Sequence, residues 1–254
     1  MHANRFSLEG QVALVIGGTS GIGKAIAAGF AESGARVIVA GRDAVKLERS
    51  VTELKSLGEA HGYSADVRDP DGLRGLVGVT LAHHGRIDIL VNSQGITVLK
   101  PAEEFTREDW DDIMLTNLRS VFFACTEVGR HMLGRGTGAI INIASLASYR
   151  GWPGSALYGI SKAGVVSLTE TLAAEWAGRG VRVNAIAPGF VLTDMNRDKM
   201  SAGRKALALA GTPMGRFGET GDLAGAAIYL ASAAASYVTG ETIRVDGGFL
   251  AAGL

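Results

Sequence analysis

Residues 12–26 read VALVIGGTSGIGKAI, and this stretch decides the fold. Its five apolar residues, Val12–Ile16, predict a short buried strand. A glycine-rich loop follows and leads into Ile22–Ser33, whose apolar spacing predicts a helix. Glycines let a backbone turn sharply and approach a diphosphate, while the first amides of a helix present a positive pole to it.

The glycine spacing in this loop is Gly-x-x-x-Gly-x-Gly, which differs from the commoner dinucleotide-binding spacing. Taken alone, the spacing is also compatible with a simple tight turn. Its place between a strand and a helix favours nucleotide binding. The loop residues expected to contact the nucleotide are Gly17, Thr19, Ser20, Gly21, Ile22 and Gly23.

Strand and helix patterns alternate along the rest of the chain. The remaining predicted strands are short, apolar and mostly β-branched, and they are Arg36–Ala40, His61–Ala65, Ile87–Val91, Ala139–Ala144, Val181–Ala187 and Thr242–Val245. Besides Ile22–Ser33, the predicted helices are Ala44–Leu57, Glu108–Leu133, Ala156–Ala177 and Asp222–Ala233. Repeated strand-helix-strand units of this kind predict an α/β fold of the doubly wound Rossmann type, a parallel sheet of about seven strands with helices on both faces.

Composition and charge restrict the possible partners. The 254 residues carry equal numbers of basic and acidic side chains, so the formal net charge is zero and no nucleic-acid partner is expected. The first six residues lack the apolar core of a signal peptide, and no run approaches the ~20 apolar residues of a membrane span, so we expect a cytoplasmic protein without a membrane partner. Cys125 lies in an apolar stretch and is interpreted as buried, and the dispersed histidines indicate no metal site.

No linker or composition shift divides the chain, so residues 1–254 are predicted to form a single dinucleotide-binding catalytic domain. The stretch 193–218 departs from the strand and helix pattern, because it is rich in Met, Lys, Arg and Gly. We therefore predict a substrate lid there.

A tyrosine and a lysine stand four residues apart, at Tyr158 and Lys162, with Ser145 thirteen residues before the tyrosine. On a helix this spacing brings the two side chains to one face. A nearby cation lowers the pKa of a phenol, so Tyr158 is a candidate general acid and base, and Ser145 can hold a reacting carbonyl oxygen. An isolated Tyr-x-x-x-Lys also fits an ordinary helix tyrosine with a solvated lysine.

Together with the glycine loop, these residues resemble the short-chain dehydrogenase/reductase family from about Leu8 to Phe249. Further matches are Asn92-Ser93-Gln94-Gly95 after a strand, Asn117 on the next helix, Asn184-Ala185-Ile186-Ala187-Pro188-Gly189 and Val245-Asp246-Gly247-Gly248. The resemblance implies a catalytic tetrad in which Asn117 joins Ser145, Tyr158 and Lys162 and holds a water in a proton relay.

The resemblance also implies cofactor contacts. Lys162 is expected to hydrogen-bond the nicotinamide ribose, and Asp66 and Val67 to flank the adenine. The other implied cofactor contacts are Asn92, Gly95, Tyr158, Pro188, Gly189, Val191 and Thr193. Asn92 and Asn117 also fit turn or cap residues, and Asp66 a polar strand end.

Two positions depart from the family pattern. Ile16 stands where threonine is frequent, and Ser93-Gln94 replaces the usual Asn-Ala. Loss of the threonine hydroxyl removes a tie between two loops, and Gln94 brings a larger side chain towards the cofactor cleft. We expect altered cofactor affinity with the chemistry retained.

The end of the second strand bears on the choice of cofactor. Gly41 stands where an NAD enzyme usually has an aspartate for the ribose 2′-hydroxyl, and Arg42 can pair with a 2′-phosphate. NADP(H) is therefore favoured, with NAD(H) possible through Asp43.

The substrate is expected to be a small molecule with a carbonyl or alcohol group. The termini look most like the branch of the family that contains gluconate 5-dehydrogenase and 2-deoxygluconate 3-dehydrogenase, which implies a sugar acid or polyol. Arg150, Arg197 and Arg204 are candidates for pairing with a substrate carboxylate. A 3-oxoacyl-thioester reductase and a catalytically idle dinucleotide-binding redox sensor are the alternatives, and the family resemblance implies a homotetramer built through the long helices.

Overall fold

The protein is described by a computed structural model that covers residues 4–193 and 200–252. Its strands are β1 (Val12–Ile16), β2 (Arg36–Gly41), β3 (Ala60–Ser64), β4 (Ile89–Asn92), β5 (Gly138–Ile143), β6 (Val181–Pro188) and β7 (Thr242–Val245). They form one sheet in the order β3-β2-β1-β4-β5-β6-β7, and every neighbouring pair is parallel. The predicted doubly wound parallel sheet is confirmed.

The helices that connect these strands lie on both faces of the sheet. They are α1 (Gly21–Glu32), α2 (Ala44–Lys55), α3 (Pro70–His84), α4 (Arg107–Met114), α5 (Ser120–Arg135), α6 (Ala156–Trp176), α7 (Ala202–Ala210) and α8 (Ala224–Ala231). Short 3-10 turns occupy Ala102–Glu104, Leu146–Ser148, Ala177–Arg179, Thr220–Leu223 and Ala233–Ala235. In the described parts of the chain, each helix is too short or too polar to cross a lipid bilayer.

The direction in which the chain crosses the sheet reverses at β1. This strand pairs with β2 on one side and with β4 on the other, so that Ile16 lies opposite both Ala40 and Asn92. In open parallel sheets, ligands bind in the crevice beyond the carboxyl ends of the strands at such a reversal. The glycine loop after β1 borders that crevice.

Alternate residues of β1 face opposite sides of the sheet and enter two separate apolar clusters. Leu14 belongs to the first cluster and Val15 to the second, as the two-residue period of a strand requires. Cys125 lies fully buried in the first cluster, which confirms the prediction of its burial. Burial raises the pKa of its thiol to about 12.

The structure contains one long helix that the sequence analysis did not assign, α3. Its start has clear signals, because the Asp69 carboxylate accepts hydrogen bonds from the amides of Asp71 and Gly72, and Pro70 occupies the first turn. Gly85 ends the helix in the left-handed conformation, with φ of 73°. The helix contains one proline and three glycines, which weaken the apolar periodicity of its sequence.

The predicted helix Glu108–Leu133 is interrupted in the structure. A π-helical turn at Leu115–Arg119 separates α4 from α5, and Asn117 lies in that turn. Such turns often occur at functional sites. The predicted lid at 193–218 contains α7, while residues 194–199 lie outside the described residues.

Candidate active site

The glycine loop between β1 and α1 adopts a tight backbone conformation in which its glycines have no space for a Cβ atom or favour a positive φ. Gly17 has φ of 76° and Gly21 has φ of 53°, conformations that favour glycine. A Cβ atom on Gly23 would lie 2.3 Å from the carbonyl oxygen of Gly17. The side chain of Ser20, the N-cap of α1, makes no capping hydrogen bond to the first amides of the helix. The loop therefore fits the diphosphate of a dinucleotide.

All six loop residues that the sequence predicted lie together at this helix start. One of them, Thr19, packs against the end of β2, where a Cβ atom on Gly41 would lie 2.7 Å from its Cγ2 atom. A side chain at position 41 would therefore require Thr19 to move.

Arg42, directly after β2, lies beside Asp66. Its Nη1 atom is 3.6 Å from Oδ2 of Asp66, and 55% of its side chain is exposed. Arg68 binds the same carboxylate with Nη2, at 2.8 Å, and with Nε. These hydrogen bonds from Arg68 hold the pKa of Asp66 below its ordinary value. Sequence reasoning missed Arg68, although its place two residues after Asp66 was an available signal.

Tyr158 and Lys162 lie on the first turns of α6, and Ser145 follows β5. The Nζ atom of Lys162 donates a 2.7 Å hydrogen bond to the carbonyl oxygen of Ile143 and lies 6.0 Å from the centre of the Tyr158 ring. The Ser145 side chain hydrogen-bonds Tyr158 and also accepts from the amide of Ala147. The three predicted residues are therefore brought together at the carboxyl edge of the sheet.

The pKa values of this group differ from the expectation. Burial raises the pKa of Tyr158, and its hydrogen bond with Ser145 opposes the rise only in part. Lys162 does not contribute to this change in the pKa of Tyr158. Its ammonium donates its hydrogen bond to the carbonyl oxygen of Ile143 and not to the phenol oxygen. The prediction that Lys162 lowers the pKa of Tyr158 is thus wrong. Tyr158 is a neutral phenol at pH 7, ready to donate a proton.

Lys162 is itself perturbed, because it is only 4% exposed. Burial lowers the pKa of its ammonium from 10.5 to about 8. A lysine with such a pKa exchanges its proton readily near neutral pH.

This burial predicts a pH dependence of stability. Between pH 8 and 10.5 the unfolded chain holds the Lys162 proton more tightly than the folded chain, so the free energy of unfolding rises with pH across that window. Below the window both states are protonated and the cost of burying the charge is complete. We expect Lys162→Met to lack this rise when urea unfolding is measured across the window. A variant curve parallel to the wild-type curve would contradict the assignment.

Asn117 braces the loop after β4 against α6. Its Oδ1 atom accepts from the amide of Ile96 at 2.8 Å, and its Nδ2 atom donates to the carbonyl of Ile96 at 2.9 Å and to Oγ of Ser161 at 3.1 Å. A Cβ atom on Gly95 would lie 3.5 Å from Oδ1 of Asn117 and 3.6 Å from Nζ of Lys162. Gly95 therefore lies beside both predicted tetrad members, and the water relay through Asn117 stays a prediction.

The side chain of Asn92 is directed into the protein interior. It is 1% exposed, and its Nδ2 atom donates to Oδ1 of Asn142 at 2.9 Å and to Sγ of Cys125 at 3.3 Å. Asn142 in turn donates to Oγ1 of Thr169. Any contact between Asn92 and a cofactor is thus left to its backbone.

At the two positions that depart from the family pattern, other hydrogen bonds hold the loops in place. The amide of Ser93 donates to the carbonyl of Ile16 at 2.9 Å, so a backbone bond joins the two loops despite the missing hydroxyl. The Nε2 atom of Gln94 donates to Oγ of Ser120 at 3.1 Å, which holds this larger side chain against the start of α5.

The turn after β6 carries the predicted nicotinamide contacts. The amide of Gly189 donates to the carbonyl of Val245, and Val191 forms a bridge with Gly218. The Cγ2 atom of Thr193 would lie 3.5 Å from a Cβ atom on Gly21, so this turn reaches back to the glycine loop. Pro188 and Gly189 therefore line the cavity with Tyr158, while Thr193 lies beside the glycine loop.

A cavity of about 560 Å³ lies beside Ser145 and Tyr158. Trp152 and Phe190 line it, and their rings meet edge to face with centres 5.4 Å apart. The sequence analysis did not single out these rings, because aromatic residues scattered along a chain carry no spacing signal. Of the three candidate arginines, Arg204 lines the cavity, and Arg150 lies over the rings of Trp152 and Phe249. Arg197 lies outside the described residues.

Comparison with known proteins places these features in context. The family described as Enoyl-(Acyl carrier protein) reductase matches residues 17–250. The D-threitol dehydrogenase of Mycolicibacterium smegmatis is 42% identical over 96% of this chain and 94% of its own. The 3-oxoacyl-[acyl-carrier-protein] reductase of Thermotoga maritima is 41% identical over 96% and 99%, respectively.

A solved structure is similar along nearly its whole length. The gluconate 5-dehydrogenase from Burkholderia cenocepacia J2315, in complex with NADP and tartrate, superimposes with a TM-score of 0.94. It is 38% identical and covers 98% of each chain.

Proposed function

Since this chain belongs to the short-chain dehydrogenase/reductase family, we propose that it transfers a hydride between NADP(H) and the secondary alcohol or ketone of a sugar acid or polyol. The observation that carries the proposal is the placement of Ser145 and Tyr158 along one cavity at the carboxyl edge of the sheet, with the buried Lys162 one helical turn from the tyrosine. Relatives that act on threitol and on gluconate support the substrate class.

The chain's own residues provide the proton chemistry. A bound nicotinamide supplies or accepts the hydride. In the direction of reduction, the Ser145 hydroxyl donates a hydrogen bond to the carbonyl oxygen of the substrate, and the Tyr158 phenol gives its proton to that oxygen as the alcohol forms. Lys162, with its pKa of about 8, then returns a proton towards the phenolate. Oxidation of the alcohol runs through the same groups in reverse.

Asn117 contributes by holding the loop that carries Gly95 in place beside Lys162. We propose that it also orders the water through which Lys162 regains its proton. The glycine loop, Asp66, Val67 and the turn from Pro188 to Thr193 are proposed to hold the cofactor.

Arg42 is proposed to set the preference for NADP(H). Its guanidinium is largely exposed beside Asp66, where a 2′-phosphate can pair with it. We expect Arg42→Ala to weaken NADPH binding on the order of 10- to 100-fold and NADH binding far less, as measured by fluorescence titration. Arg49→Ala, which removes an exposed arginine of α2, serves as the control. Equal losses for the two cofactors would contradict the assignment.

The substrate class is tested by NADPH oxidation. We expect turnover with 5-ketogluconate or a neutral ketose, and little with an acetoacetyl thioester. The reductase from Thermotoga maritima makes the thioester the second candidate, and faster turnover with it would favour that function. Absence of turnover with any activated ketone would favour an idle redox sensor.

We further propose that four copies assemble through α5 and α6. Phe122 and Phe123 are 41% and 40% exposed on α5, and Ile160 is 48% exposed on α6. Large exposed apolar side chains of this kind mark association surfaces. Light scattering is expected to give four times the 26.3 kDa chain mass.

The protein is proposed to act in the cytoplasm as a single catalytic domain.

A further inference from the structure

The cavity beside Tyr158 has an uneven distribution of charge. Apart from Arg204, the described residues that line it are apolar or neutral, including Thr97, Leu146, Trp152 and Phe190. We propose that Arg204 binds a carboxylate of the substrate, so that this enzyme acts on a sugar acid in preference to a neutral polyol. The inference rests on the function proposed above and narrows it.

Arg204 is placed at the cavity by the first turn of α7. The hydroxyl of Ser201, the N-cap, accepts a hydrogen bond from the backbone amide of Arg204. The side chain extends to the start of α6, where Nη2 donates to Oγ of the N-cap residue Ser155 at 3.3 Å. Ser155 is 5% exposed and stands one turn before Tyr158. The guanidinium is thus held beside the helix that carries the phenol.

The guanidinium lacks an anionic partner within residues 4–193 and 200–252, although its side chain is partly buried. An arginine presents five N–H donors in a planar fork, and the bond to Ser155 uses one of them. A partly buried cation without a carboxylate is costly, and a substrate carboxylate supplies two acceptors in the matching geometry.

Arg150 gives a useful contrast. Its guanidinium lies 5.9 Å from the ring centre of Trp152 and 5.8 Å from that of Phe249, and it does not line the cavity. It can add positive potential near the cleft but is not placed to bind a ligand inside it. Arg150→Gln is therefore the matched control for a general electrostatic effect.

The kinetic test compares an acid with a neutral substrate. In Arg204→Gln we expect the KM for 5-ketogluconate to rise on the order of 10- to 100-fold relative to the KM for fructose, with a smaller change in kcat. Arg204→Lys should recover part of the loss, because it restores charge without the planar fork. Arg150→Gln should leave the ratio of the two KM values near that of the wild type. An equal rise for both substrates in Arg204→Gln would overturn the proposal.

A binding test keeps this inference separate from the proposed function. Calorimetric titration of gluconate into the NADPH-loaded protein reports on carboxylate recognition without turnover, because the alcohol and the cofactor are then both in their reduced forms. Weaker binding to Arg204→Gln than to the wild type and Arg150→Gln supports the role of Arg204, even where the catalytic assay fails. Equal binding to all three proteins, or no binding to the wild type, overturns it.

Discussion

Replacing Tyr158 with phenylalanine is expected to lower kcat on the order of 100- to 10,000-fold, because it removes the phenol proposed to give its proton to the carbonyl oxygen. The substitution removes one hydroxyl and keeps the ring, so the packing of α6 is retained. Affinity for NADPH should change little. Stopped-flow measurement of NADPH oxidation, together with a fluorescence titration of NADPH, checks both parts.

Tyr149→Phe is the matched control. Tyr149 is 48% exposed and lies in the segment between β5 and α6, so it shares the neighbourhood without lining the cavity. Its variant should retain the wild-type kcat. If Tyr158→Phe kept most of its activity, the proton would have to come from another group, and the proposed mechanism would fail.

Gly23→Ala is expected to produce the second large effect, a loss of dinucleotide binding. Its new Cβ atom would lie 2.3 Å from the carbonyl oxygen of Gly17, a distance that side chains do not adopt. The loop has little room to move away, because Gly17 packs so closely against the backbone of Ser93 and Gln94 that a Cβ atom on it would lie 2.8 Å from the amide nitrogen of Gln94. Backbone displacement of this kind costs about 1–3 kcal/mol or more, and it would misplace the amides that face the diphosphate.

We expect calorimetry to show NADPH binding weakened on the order of 100-fold or more in Gly23→Ala, with a lower melting temperature. Gly75→Ala on α3 is the control, because a Cβ atom there meets nothing within 4 Å. That variant should be as stable as the wild type or up to about 1 kcal/mol more stable. Unchanged NADPH affinity in Gly23→Ala would mean that the loop does not hold the diphosphate.

The sheet was predictable because its central strands, such as β1 and β4, are buried on both faces. Val12–Ile16 is apolar at every position, and Thr242–Val245 is followed directly by Asp246-Gly247-Gly248, so both strands were predicted with their observed bounds. Helices were harder to predict. The interior of α3 contains Gly75 and Gly78, which leave its inner face without a continuous apolar stripe, and the capping signal at Asp69-Pro70 was needed to find it.

Residues of the candidate site could be predicted where their spacing along one helix determines which side chains lie together. The four-residue interval from Tyr158 to Lys162 fixes their shared helix face, but it does not fix where the ammonium points. The carbonyl of Ile143, at the end of β5, accepts that hydrogen bond, and only the folded chain brings it near. For the same reason, the bonds of Asn117 to Ile96 and Ser161 were not visible in the sequence.

The burial of Cys125 makes this protein suitable for site-specific labelling with thiol reagents. Its thiol is the sole one in the chain, is fully buried and has its pKa raised to about 12, so almost no thiolate exists at neutral pH to react with maleimides or iodoacetamides. A cysteine introduced at an exposed position of α7, such as Leu207, would then be the single reactive thiol. A dye or spin label attached there could report movement of this helix during turnover, with the native sequence otherwise unaltered.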